Sequence, residues 1–442
     1  MRSGRLVVQV FIASITALVT LSDAHAVPSY ARQLHVPCSA CHTQFPELNG
    51  FGRDFKLTGY TLAAGEQLEA KDDQQRTSLS LDGLPPVSLM LQAAYTQTRG
   101  SLPDTQGDDF QLPQQLSLFL AGKISPKIGS FMQMTYSQAD DKFGIDNTEF
   151  RYANRATVSG KMLDYGVTLN NAPGVEDLWN STPVWGFPWA GPDVSPEPAA
   201  ATLIDGQLSQ DVAGVGAFMF WDSKIYAATT LYRSAHLGQG APTLGSENTI
   251  DSVAPYWRIA WQHARGSRSL EIGVYGISAG LLPDGVSGPT DDYHDVAADF
   301  QYQIMPGGHQ LGFHGTVIHE GRDLHATFAA GDAEHESSDL DTLRLDGSYF
   351  VRKWRFTAGY FSTTGDSDTQ LYAPGEVDGS ASGSPDSRGW MLQASHSPWQ
   401  NVQLMLQYTG YEKFNGAKSN YDGFGRDAAD NNTLFLNAWF NW

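Results

Sequence analysis

Sixteen stretches of alternating apolar and polar residues fill the chain from residue 86 to residue 442, joined by connections that are long and short in strict turn. The stretches are 86–98, 111–124, 127–138, 146–158, 160–171, 211–222, 224–236, 250–265, 267–281, 292–305, 307–320, 339–351, 353–364, 386–397, 400–412 and 431–442. Period-2 alternation is the signature of strands with two unlike faces. The short connections are tight, such as SP after Ile124, WDSK, ARGS, MPGG and VRK. The long ones are 99–110, 139–145, 172–210, 237–249, 282–291, 321–338, 365–385 and 413–430. Antiparallel strands joined in this way gather every tight turn at one end and every loop at the other, the plan of outer-membrane barrels. A soluble sandwich has no reason to alternate its connection lengths. The expectation is therefore all-β: a 16-stranded antiparallel transmembrane β-barrel over 86–442. The even strand number brings both barrel ends to the short-turn, periplasmic side.

Parity predicts which side chains meet lipid. In NVQLMLQYTG, Val402, Leu404, Leu406 and Tyr408 point outward and Gln403, Met405 and Gln407 inward; in KWRFTAGY, Trp354, Phe356 and Tyr360 point outward and Arg355 inward. Apolar-out and polar-in reverses the order of a soluble barrel. The final strand, TLFLNAWFNW, closes the chain on the aromatic Trp442. Aromatic residues make up 12% of the chain and charged residues only 17%, below the roughly 25% of ordinary soluble domains. The formal net charge of −20 excludes nucleic acid as a partner, because phosphate contacts need basic patches.

The N-terminus reads as a secretory leader over residues 1–26. Arg2 and Arg5 precede an apolar run from Leu6 to Leu21 and a small-x-small site at Ala24–Ala26. Soon after it comes the only cysteine pair, Cys38-Ser39-Ala40-Cys41-His42. A zinc site needs about four ligands, and no second cysteine pair exists. A thioredoxin-like site needs an α/β fold, which the strand pattern does not offer. A structural disulfide is the plain alternative in an exported chain. C-x-x-C-H, however, is the attachment motif of c-type haem. The two thiols add to the porphyrin vinyl groups and the histidine supplies the proximal iron ligand. Cys38 and Cys41 are thus the expected attachment points and His42 the expected ligand of one haem c.

The residues around the motif carry a resemblance. ARQ, CSACH, FPEL and GR-x-FK-x-x-GY, all within Pro28–Tyr60, resemble the N-terminal segment of fused monohaem cytochrome–porins. That family of outer-membrane proteins includes the iron-oxidising cytochromes. Leu34-His35 stands where the family usually has Thr-Gly. The resemblance implies a haem c segment over 27–80, with its linker, ahead of a porin-like barrel. It also implies electron transfer from an extracellular donor, Fe(II) in the iron oxidases, to a periplasmic cytochrome c.

Residues 27–75 are too few to form a sizeable core alone, and a sixteen-strand barrel leaves an open channel unless it is plugged. The segment is therefore expected in the lumen or at the periplasmic mouth, rather than on the polar linker 62–80. The distal iron ligand stays open. Inward-facing candidates by parity are Met90, Met391, Met405 and His314, with Met162 and Met219 further round the wall, and His35 lies before the motif. Arg32, Arg53 and Lys56 are candidates for haem propionates or for contacts of the plug with the wall, and the inward arginines Arg151, Arg155, Arg258, Arg344 and Arg355 for pairing with haem propionates or with Glu47 and Asp54 of the plug. Loop 172–210, with Trp179, Trp185 and Trp189, is expected to fold over or into the pore. Acid pairs in the outer loops attract cations, and His319, His325 and His335 beside them are candidate metal ligands. Two alternatives remain at this level: the same conduit running outward to reduce extracellular metal, and a diffusion porin with a structural or sensory haem.

Overall fold

The computed structural model describes residues 27–44, 46–64, 67–82, 85–103, 108–139, 141–234, 249–283 and 287–442. The predicted leader, 1–26, lies outside the described residues. The barrel strands are β1 (Val87–Thr98), β2 (Asp108–Leu120, continued by Gly122–Ser125), β3 (Ile128–Ser137), β4 (Lys142–Val158), β5 (Lys161–Asn170), β6 (Val212–Trp221), β7 (Ile225–Ser234) and β8 (Ala254–Arg265). They continue with β9 (Arg268–Leu281), β10 (Asp291–Ile304), β11 (His309–Asp323), β12 (Ser337–Val351), β13 (Trp354–Gly365), β14 (Ser387–Trp399), β15 (Val402–Lys413) and β16 (Thr433–Asn441). Each pairs antiparallel with its sequence neighbours, and β16 closes onto β1 with Leu436 opposite Tyr95. β2 is one strand interrupted at Ala121: both pieces pair with β3, and the Ala121 N–H donates to the Pro86 carbonyl ahead of β1. The closed barrel therefore has sixteen strands. Closure leaves no unpaired edge, which is what allows a sheet to sit in hydrocarbon.

The strands fall where period 2 places them, and the largest differences lie at the long-loop end. β4 begins at Lys142 rather than 146 and β8 at Ala254 rather than 250. There the strands leave the apolar band, and alternation no longer marks their limits. Exposure follows parity around the wall: Val296 is 57% exposed and its neighbour Ala297 2%. Large apolar side chains such as Leu231, Ile259, Ile272, Val317 and Leu392 cover the outside, as an apolar solvent requires.

One parity reading is corrected. Met219 points outward, 38% exposed, while Phe218 and Phe220 point inward. β6 is apolar on both faces, because its inner face packs against material inside the barrel, so polarity could not tell in from out.

Two bodies fill the lumen. From the short-turn end comes residues 27–60, with helices α1 (Pro28–Leu34) and α2 (Gly50–Leu57). From the other end comes the connection between β5 and β6, residues 171–211, which turns into the pore rather than standing above it. Its Trp179 is fully buried, edge-on to Phe220 and Tyr226 at 6.1 and 5.6 Å, and donates its indole N–H to Gln262 Oε1 at 2.8 Å. Asp177 on this loop meets Arg258 of β8 at 3.3 Å, and the same guanidinium holds Glu271 and Asp299 at 2.9 Å each, all without exposure. Removing one partner from such a buried cluster costs about 3–5 kcal/mol, so the loop is fixed to the wall. Between segment and barrel, a hairpin of Gln67–Lys71 and Thr77–Asp82 occupies part of the expected linker.

Candidate functional site

The residues of the N-terminal motif each have a structural task. Pro28 opens α1 at its first turn, where a missing N–H is harmless. Cys38–Ala40 form a single 3₁₀ turn, closed by the Cys41 N–H on the Cys38 carbonyl at 3.1 Å. That turn brings Cys38, Cys41 and His42 to one wall. Asn49 caps α2 by accepting from Gly52 N at 3.1 Å, and its side-chain amide donates to the Ala40 carbonyl at 2.9 Å. One residue thus binds helix and cysteine turn together. Asn49 escaped the sequence reading, although Asn ahead of a helical run is a recognised start signal.

Helix and turn touch at Gly52. A Cβ there would lie 2.2 Å from the Cys41 carbonyl oxygen, so only glycine fits. Gly52→Ala is expected to loosen residues 27–60 by about 1–3 kcal/mol through overpacking, even though alanine favours helix. Limited proteolysis should then cut this segment faster while the barrel stays resistant. An unchanged cleavage rate would show that the contact has slack.

Cys38, Cys41 and His42 face one cavity inside the barrel. Tyr30, Val36, Leu48, Phe55 and Tyr60 of the segment line it, with Phe131 from β3 and Asn180 and Trp185 from the lumenal loop. The lining is largely aromatic and aliphatic, with Lys56 the one charged side chain among the described residues that form it. The two cysteines carry thiols rather than a shared disulfide, and burial, followed by the neighbouring Cys38, pushes the Cys41 thiol up to about 11. His42 Nδ1 lies 3.2 Å from the Glu47 carbonyl. A carbonyl only accepts, so this contact favours the proton on Nδ1, the tautomer that leaves Nε2 a lone pair for a metal. Burial pulls the imidazole down to about 4 against the Glu47 and Pro46 carbonyls. Apolar lining, paired thiols and an oriented imidazole all fit a covalently held porphyrin.

The segment is tied to the wall on every side. Glu47 meets Arg355 of β13 at 3.1 Å and His314 of β11 at 3.4 Å. Burial pushes this carboxyl up, but Arg355, His314 and Thr43 outweigh it and hold it below the usual range. Arg53 donates to Gln303 Oε1 and Ser269 Oγ, both at 3.0 Å, and Tyr60 donates to Glu149 at 2.6 Å. Arg32 donates to the Val87 carbonyl. Lys56 donates to the carbonyls of Val175 and Asp177 and to Asn180 Oδ1, at 2.7, 2.5 and 2.9 Å. Its burial lowers the ammonium to about 8. Of the two roles open to Arg32, Arg53 and Lys56, all three make contacts of the segment with its surroundings, and only Lys56 also lines the cavity.

None of the distal-ligand candidates lines this cavity. Met90 is buried among Val27, Phe119 and Trp439, and Met405 beside Ala94 and Phe435. Met391 faces inward on β14, opposite Gly359 and Thr409. His314 is held between Glu47 and Asp346, and His35 is exposed at the left-handed C-cap of α1, with φ 54°. Parity fixes inward or outward but not height along the barrel or position around it. Among the described residues that line the cavity, His42 is the sole imidazole and no thioether occurs. The outer-loop histidines sit in separate acid pairs: His319 with Asp341, His325 with Glu336 and His335 with Asp368. No group of three or more His, Cys, Asp or Glu suited to a metal ion occurs among the described residues.

No protein-family model matches the chain, and no curated protein does. Solved structures that are similar to it include outer-membrane proteins. In-vitro folded OmpT of Vibrio cholerae has a TM-score of 0.44 at 11% identity, over 86% of this chain and 100% of its own. An anion-selective porin from Comamonas acidovorans has 0.44 at 11%, over 80% and 97%. Salmonella typhi OmpF in complex with daunomycin has 0.44 at 12%, over 85% and 100%. Likeness at this level leaves function to the residues themselves.

Proposed function

We propose that this chain is an outer-membrane electron conduit of a Gram-negative bacterium, a monohaem cytochrome c whose cofactor segment is carried inside a porin-like barrel. One observation carries the reading: Cys38, Cys41 and His42 line a single apolar cavity inside the barrel. Haem c, when bound, supplies reversible one-electron chemistry at iron. The chain does the rest. Cys38 and Cys41 would tether the group, and His42, oriented by the Glu47 carbonyl, would ligate it from one side. Tyr30, Phe55, Phe131 and Trp185 exclude water and lower the local dielectric, a lever on potential. The Glu47–Arg355 pair fixes the peptide that aims His42.

The direction of flow and the donor rest on the resemblance to cytochrome–porins, which favours extracellular Fe(II) as donor. The acid-rich outer loops are suited to concentrating a cation there. Mixing the oxidised, haem-loaded protein with Fe(II) in a stopped-flow instrument is expected to give the reduced haem spectrum within seconds. A spectrum indifferent to iron, together with solute flux into liposomes, would favour a diffusion porin instead.

A further inference from the structure

Charge is segregated along the barrel axis. The seven short turns and the strand residues beside them carry exposed Lys127, Lys161, Lys224, Arg265, Arg268 and the Arg352-Lys353 pair. Against these stands one acid, Asp222, already held by Lys161 and Lys224 at 2.8 Å each. The opposite end is acidic: residues 324–336 and 366–386 hold eight Asp and Glu and no Lys or Arg. The short turns of this chain of net charge −20 thus form a positive rim, beside which the hairpin of Gln67–Lys71 and Thr77–Asp82, packed on Gly122–Ser125, brings Glu69, Asp72 and Asp73 with Lys71 and Arg76 to the same end.

That rim surrounds an opening onto the cysteine motif. A second cavity lies at the short-turn end between the N-terminal segment and the turns of β12–β13 and β14–β15. Cys38 and His42 line both this cavity and the apolar one behind it, and Arg352 and Lys353 stand on the wall opposite. The motif is therefore the partition between the buried cavity and the periplasmic mouth.

From this placement we infer that the short-turn mouth is the docking site of a soluble electron carrier whose own redox centre is ringed by acidic residues. The inference rests on the cytochrome reading above and names the class of partner. The exchange is outer-sphere: the carrier's oxidised centre gains the one electron that the tethered iron gives up, and no bond forms or breaks. Opposite charge around the two openings steers encounter and orients the pair, so the effect lies in association rate and salt dependence.

The test uses the full protein in nanodiscs and two labelled soluble probes, an acidic single-copper protein and a basic cytochrome c. Fluorescence anisotropy reads binding and stopped-flow absorbance reads electron transfer. The acidic probe is expected to bind about tenfold tighter than the basic one at low salt, and to lose that advantage as salt screens the rim. Arg352→Glu with Lys353→Glu should cut its binding and transfer rate about tenfold, with the haem spectrum unchanged. Preference for the basic probe, or binding indifferent to salt, overturns the proposal. So does a charge reversal that spares the acidic probe but weakens retention in anionic-lipid nanodiscs, which would make the rim a phospholipid anchor. Because anisotropy needs no haem, a colourless protein that still binds the acidic probe sinks the cytochrome reading, whereas a haem-loaded protein that ignores it sinks only the docking site.

Discussion

Cys38→Ala combined with Cys41→Ala is expected to yield a folded but colourless barrel. The sheet closes on itself through β1 and β16, so the wall does not depend on the segment it encloses. The proposed thioether links, by contrast, would depend wholly on these two side chains, the only cysteines in the chain. Haem-linked peroxidase staining after denaturing electrophoresis should go from strong to absent, while the heat-modifiable mobility of a folded barrel persists. His42→Ala should behave differently, keeping covalent colour but shifting the spectrum, because tether and ligand are separate functions. Stain that survives in the double variant, or a colourless parent protein made with a working haem-attachment system, would end the cytochrome reading.

Deleting residues 27–80 is expected to open the pore. A sixteen-strand barrel encloses an aqueous channel when nothing fills it, and here α1, α2 and the cysteine turn fill the short-turn half. The loop 171–211 would stay, because Asp177–Arg258 and the buried Trp179 anchor it to the wall independently of Lys56. Single-channel conductance in planar bilayers should therefore rise about tenfold over the intact protein, toward a loop-constricted porin. Intact protein that already conducts like an open porin would mean that the segment leaves the lumen, and would restore the diffusion-porin reading.

Much of this architecture was legible from residues alone, for a reason visible in particular strands. In β13, Trp354, Phe356 and Tyr360 alternate with Arg355 because one face meets lipid and the other the lumen, and each choice is made locally. β6 shows where that fails. Its inner face packs Phe218 and Phe220 against a loop, so polarity there points Met219 inward while the structure turns it outward. The helices α1 and α2 were not anticipated either, although Pro28 and Asn49 mark their starts. The polar stretch expected to be a plain linker pairs Gln67–Lys71 with Thr77–Asp82.

The sequence by itself determined the sixteen strands, their alternating connections and the C-x-x-C-H pattern. Strand alternation is set by neighbours two residues apart, and the motif fits within five consecutive residues. Only the tertiary structure decided what surrounds that motif. Glu47 meets Arg355 across 308 positions and Arg53 meets Gln303 across 250. Such meetings depend on how the barrel closes and how deep the segment sits. No local pattern encodes either, which is why the cavity is walled by Phe131, Asn180 and Trp185 rather than by any of the methionines that parity had turned inward.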